Sequence, residues 1–154
     1  MSRYQTPSVL LQAVIGILLL FTGISIYLLF RSETITLYRW FVAAGMQETL
    51  VTLREGVSDW NIPSFVRFSL PDGLYCASYI MIMDAVWKKS KYSLRLLAAS
   101  LIPLVAIVHE LLQAAGLTRG TFDWGDLLCY SLPLLLYYLL TGALKKLRIS
   151  YRRT

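Results

Sequence analysis

Glu110 carries the strongest chemical signal in this chain. It lies in the run LIPLVAIVHELLQAAGL, and an ionisable group inside so apolar a stretch is expensive to place and functional by default. His109 precedes it, and helical spacing of three or four puts Gln113 on a face shared with Glu110 or with His109. Arg119, Asp123 and Asp126 follow in a short polar turn, and Asp72 opens another apolar run at the same expected level. Asp72, His109, Glu110, Gln113, Arg119, Asp123 and Asp126 are therefore the candidate ligand-binding residues.

Two kinds of chemistry suit that set. A guanidinium such as Arg119 offers a planar fork to an anionic headgroup, and carboxylates bind a cation, polarise a water or shuttle protons. The structural alternative pairs Arg119 with Asp123 or Asp126 and makes Glu110 a hydrogen-bonding tie between helices. Asp126 also stands where a helix should begin, so N-capping is sufficient to explain it. A single histidine with no HxxxH or HExxH partner, and two cysteines with no CxxC spacing, point to no metal, and no cofactor is expected. Nucleophile-elbow and phosphate-loop sequences are absent from the chain.

The elements that must position these residues are membrane spans. Of the 154 residues 56% are hydrophobic and 16% charged, against about 25% charged in a soluble domain. The apolar residues are bunched into runs long enough for hydrocarbon. The runs predict an all-α membrane protein of one domain, residues 1–154, with four spans over about 9–30, 74–87, 94–115 and 127–144. The first span is too long for a signal-peptide core. Gly16 and Gly23 within it would admit a close neighbour, but a plain anchor helix is the simpler expectation. Pro103 and Pro133 lie inside the last two spans, where kinks are tolerated.

Residues 31–71 are mixed in charge and read as an extracytoplasmic segment. Within it, roughly 36–55 reads as a helix lying in the membrane interface, with Leu37, Trp40, Phe41 and Ala44 on one face and Tyr38, Trp40 and Trp60 at headgroup depth. Taking 37–53 as a fifth span is costly because of Arg39 and Glu48. Asp84, near the basic end of the second span, is explained by pairing with a nearby lysine. Tyr130, Tyr137 and Tyr138 read as packing and interface anchors. Cys76 and Cys129 read as packing thiols, with a disulfide left open.

A net charge of +6 would suit nucleic acid only if the basic residues formed a soluble face, and they lie between the apolar runs instead. They work as a topology signal. Arg3, Lys88, Lys89, Lys91, Arg95, Lys145, Lys146, Arg148, Arg152 and Arg153 fall on one side, and Arg31, Arg39, Arg54, Arg67 and Arg119 on the other. That bias places both termini and the 88–95 loop in the cytoplasm. Partners follow as membrane lipids, and other membrane proteins through residues 31–71.

The order Glu110-Leu111-Leu112-Gln113, then Arg119, then Asp123-Trp124-Gly125-Asp126-Leu127-Leu128, resembles the ExxQ, Arg and Asp-loop signature of VanZ-like membrane proteins. Pro71-Asp72-Gly73-Leu74, with Tyr79 after it, is similar to that family's Asp-containing entry to a helix. The resemblance covers about 70–141. It departs where the family has a basic residue and a His after the first Asp, and an Asn and glycines after the last. What it implies is a divergent relative: a small multi-span protein of the bacterial cytoplasmic membrane, in a family linked in some members to tolerance of lipoglycopeptides. The expected function is binding of an anionic lipid, a lipid-linked glycan or an amphiphilic antibiotic at an outer-leaflet polar cluster. The rivals are a non-enzymatic subunit of a larger membrane complex and a membrane-embedded hydrolase or transferase using Glu110 and Asp126. Transport is disfavoured by the lack of internal repeats.

Overall fold

Every regular element among the described residues of the computed structural model is a helix, and those residues run from 8 to 151, with side chains to 143. Arg3, Arg152 and Arg153 lie outside them, as do the side chains of Lys145, Lys146 and Arg148. The helices are α1 (Val9–Phe30), α2 (Thr36–Ala43), α3 (Gln47–Glu55), α4 (Ser64–Phe68), α5 (Leu70–Val86), α6 (Tyr92–Ala114) and α7 (Trp124–Tyr151). Three segments are long and apolar enough to cross a membrane: α1, α6 and the Trp124–Ala143 part of α7. At 17 residues, α5 is about 25 Å long, which falls short of the usual span.

The shortest of these four long helices is nevertheless the central one. α5 packs against α1, α6 and α7, and its far half meets the other two in a core of Ile80, Ala99, Leu134 and Tyr137. Its seat on α1 is made by the two glycines. A Cβ on Gly16 would stand 2.8 Å from Ile82 Cγ1 and 3.3 Å from the Ser78 carbonyl oxygen, and one on Gly23 would stand 2.9 Å from the Tyr75 ring and 3.3 Å from the Pro71 carbonyl oxygen. α1 is thus a packed member of the bundle and not the plain anchor expected, because small residues let two backbones approach. The contacts also fix direction: the start of α1 lies beside the end of α5, so the two run antiparallel.

Above the far end of α1 sits a cap of short helices. The single helix expected over 36–55 is broken into α2 and α3 at Gly45, whose φ of 80° belongs to the left-handed region where glycine ends helices. Trp40 is 68% exposed and Ala44 is exposed, while Tyr38 and Leu50 are buried against Leu28 of α1. Arg54 fastens this cap: its Nε donates to Leu28 O at 2.8 Å and its Nη2 to Arg31 O at 2.7 Å, which satisfies carbonyls left open at the end of α1. Its guanidinium also lies 4.4 Å from the Tyr38 ring centre.

Candidate functional site

At the end where α6 gives way to α7, Glu110 is only 4% exposed and closes the connecting loop from within. Its Oε1 accepts the Asp123 backbone N–H at 2.6 Å. With the Gln113 amide nitrogen turned toward acceptors, it donates to Glu110 Oε2 and to the Thr121 carbonyl, each at 3.2 Å. Asp123 then caps α7, its Oδ1 accepting from the Gly125 N–H at 2.6 Å. The capping role expected of Asp126 therefore belongs to Asp123, because α7 begins at Trp124, three residues earlier than the apolar run suggests.

Asp126 is thereby left inside the first turn of α7, and its Oδ1 is buried with no hydrogen-bond partner. Its neighbour is Asp72, in the first turn of α5. Two glycines bring these helix starts together. A Cβ on Gly73 would lie 3.1 Å from Cys129 Cβ, and one on Gly125 would lie 2.6 Å from Ser69 Oγ. Asp72 feels the charges of Asp126, Glu110 and Arg31, with the Tyr130 side chain close beside it.

The guanidinium of this site is Arg31, not Arg119. Arg31 Nη2 stands 3.9 Å from Asp72 Oδ2 while donating to the Phe68 carbonyl, Nε donates to the Arg67 carbonyl, and the Tyr27 ring centre lies 4.6 Å from the group. Arg119 is exposed and pairs with neither Asp123 nor Asp126; the ion pairs among the described residues are Arg31–Asp72, Arg54–Glu33 and Arg95–Asp84. His109 is exposed as well, and its Nδ1 lies 3.3 Å from the Gln113 amide.

Of the seven residues expected, the structure brings together Glu110, Gln113 and Asp123 by hydrogen bonds, sets Asp72 and Asp126 beside them, touches His109 to the group's exposed edge at Gln113, and leaves the Arg119 side chain outside. Sequence reasoning missed Arg31, which reads as a charge that stops a span, and Tyr130, which reads as packing. Among the described residues no group of three or more His, Cys, Asp or Glu is arranged to hold a metal ion, and Cys76 and Cys129 are free buried thiols.

A second polar group lies at the opposite end. Asp84, 4% exposed, accepts from Gln12 of α1 at 2.6 Å, from Arg95 of α6, and from the Tyr137 hydroxyl of α7 at 2.7 Å. Its ion-pair partner is Arg95 and not the lysine expected. Lys88 reaches past it to Gln12 Oε1 at 2.7 Å.

No family model matches the chain, and no curated protein or solved structure matches it either.

Proposed function

We propose that this chain is a small cell-envelope membrane protein, a divergent VanZ-like relative of the bacterial cytoplasmic membrane. Its cluster at Asp72, Glu110 and Asp126 would bind the polar end of an amphiphile: a lipid headgroup, a lipid-linked glycan or an amphiphilic antibiotic. The observation that carries the reading is the buried, unpartnered Asp126 Oδ1 at the meeting of three helices. An orphaned buried acceptor costs about 1–3 kcal/mol, and a ligand hydroxyl or ammonium would relieve it. Asp72 lies under the negative charges of Asp126 and Glu110 and against one guanidinium that is already held by carbonyls and a ring, so the charge balance favours a donor-bearing headgroup over a purely anionic one.

Helix direction supports a fourth span. Asp84, at the end of α5, binds Gln12 near the start of α1 and Arg95 near the start of α6, so α1 and α6 run parallel. If both cross the bilayer, the chain must return between them, and α5 is the helix that runs back. Snorkelling Lys88 and the cap above Pro71 make up its missing length. The basic residues then put both termini inside and the cap outside, where Trp40 and Trp60, 68% and 61% exposed, suit the interface. The same two side chains are what a subunit reading would use as a docking face. The enzymatic reading has less support, because Glu110 is held by the Asp123 N–H and Gln113.

Native mass spectrometry of the purified protein tests the site, using phosphatidylethanolamine, phosphatidylglycerol, phosphatidylcholine and teicoplanin as probes. Retention of a donor-bearing probe that falls about tenfold, or ~1.4 kcal/mol, in Asp126→Asn supports the proposal. Equal retention of all four by wild type and variant overturns it.

A further inference from the structure

Arg67 is a half-buried cation without an anion. It stands on α4, just before α5 begins, and among the described residues its guanidinium has neither an ion pair nor a hydrogen bond, with Nε buried and unmet. The neighbouring arginines are served: Arg31 and Arg54 have carboxylates, and Arg39 and Arg119 are exposed, where water suffices. Arg67 touches only the Phe68 ring, 6.0 Å from its centre, and the Arg31 guanidinium shares that ring at 5.4 Å. Arg31 Nε also donates to the Arg67 carbonyl at 3.5 Å. Two guanidinium groups thus border one ring, and only Arg31 has a carboxylate.

The orphaned acceptor, Asp126 Oδ1, belongs to the same polar group. Arg67 adjoins the Arg31 end of the Arg31–Asp72 pair, and Asp126 adjoins the Asp72 end. Neither orphan can draw on the groups between them, because Arg31 is occupied by Asp72 and two carbonyls, and Glu110 by the Asp123 N–H and Gln113. Water could meet each atom singly but would leave the Arg67 charge unbalanced. One molecule carrying an oxyanion and an N–H cation meets both: a guanidinium grips a phosphate with paired donors, and a primary ammonium has three donors for a carboxylate. Phe65 and Phe68 on α4 and Trp124 on α7 are exposed around this group, and they suit the apolar part of such a molecule.

We infer that Arg67 and Asp126 together select a zwitterionic lipid headgroup of the phosphoethanolamine type, Arg67 taking the phosphate and Asp126 the primary ammonium. The inference rests on the amphiphile-binding reading of the cluster and narrows it to one headgroup class. A choline headgroup has no N–H for Asp126, a glycerol headgroup brings no cation to the carboxylates, and a plain amine leaves Arg67 unmet.

Native mass spectrometry of the full chain tests this, with phosphatidylethanolamine, phosphatidylcholine and hexadecylamine as probes. Phosphatidylethanolamine should be retained about tenfold over phosphatidylcholine in wild type. Arg67→Gln should lower the ratio of retained phosphatidylethanolamine to hexadecylamine about tenfold, since the amine needs only Asp126, whereas Arg67→Lys keeps a cation and should lower it less than about threefold. Asp126→Asn should weaken both probes and leave their ratio in place. Because the ratio is taken within one preparation, poor accumulation of a variant does not imitate the effect. A ratio unmoved by Arg67→Gln, with both probes weakened by Asp126→Asn, overturns the role of Arg67 and leaves the amphiphile site standing. Retention unmoved by Asp126→Asn overturns the site and this inference with it. Free phosphoethanolamine retained as strongly as the lipid would overturn the assignment to a lipid.

Discussion

Glu110 shows how a residue that reads as reactive can be employed by the backbone. Both its oxygens have partners, one in the loop and one in the Gln113 amide, so truncation leaves a backbone donor and an amide without acceptors. Glu110→Ala should lower stability by about 2–4 kcal/mol, from unmet donors and the space left behind. Glu110→Gln should cost about 1 kcal/mol, because the Gln113 amide can turn to present its oxygen. Denaturation in mixed detergent micelles reads both, and a Glu110→Ala protein as stable as wild type would sink this assignment. At this scale the sequence told half of the story. Glu110 and Asp72 were conspicuous as charges in apolar runs, whereas Arg31 and Tyr130 became site residues only through helix register, which spacing along one chain does not encode. Arg119 and His109 lie in the right stretch but are exposed, since the loop turns on Glu110 and Asp123 instead.

Among the elements, α1 was legible to the residue because an uninterrupted uncharged run has unambiguous ends. Ser8 marks its start by accepting the Leu11 N–H at 3.1 Å, and Arg31 marks its end. The break at Gly45 and the short α4 were hidden, since eight or nine residues of amphipathic pattern look the same whether or not the next turn continues. The four extra residues at the start of α5 were hidden by Pro71 and Asp72, which read as a boundary and are in fact first-turn residues that helices favour there. The glycine seats make a sharp prediction. Gly23→Ala should cost about 1–3 kcal/mol, since its Cβ meets a ring edge and a carbonyl that other contacts hold in place. Gly142→Ala should be neutral or stabilising, because a Cβ there meets nothing within 4 Å and alanine is the better helix former. Unfolding of the two variants side by side decides it, and equal loss in both would mean that α1 is not seated on α5.

For the whole molecule, the proposed topology rests on two separate arguments: helix direction favours an even number of crossings, and charge bias favours both ends inside. Alkaline phosphatase fused after Thr154 should be inactive, and a cysteine placed at Asn61, in the exposed cap, should react with an impermeant thiol reagent in intact spheroplasts. An active fusion or an unlabelled Asn61 would require a different number of crossings. The three helices long and apolar enough to cross a membrane were readable from composition because a bilayer imposes length and charge rules on each segment separately. That α5 occupies the centre was not readable, since its apolar run is short, and only the close approach at Gly16, Gly23 and Gly73 brings it inside.

The Asp84 hub also bears on how the chain is made. Its donors arrive in a definite order: Gln12 has already emerged when α5 is synthesised, Arg95 follows Asp84 by eleven residues, and Tyr137 comes last. In the proposed four-span topology a lone Asp84 carboxylate would burden the insertion of α5, yet it enters with an amide waiting and a guanidinium close behind to neutralise it. Tyr137 then completes the hub only when α7 has entered, which makes the final hydrogen bond a mark of finished biogenesis.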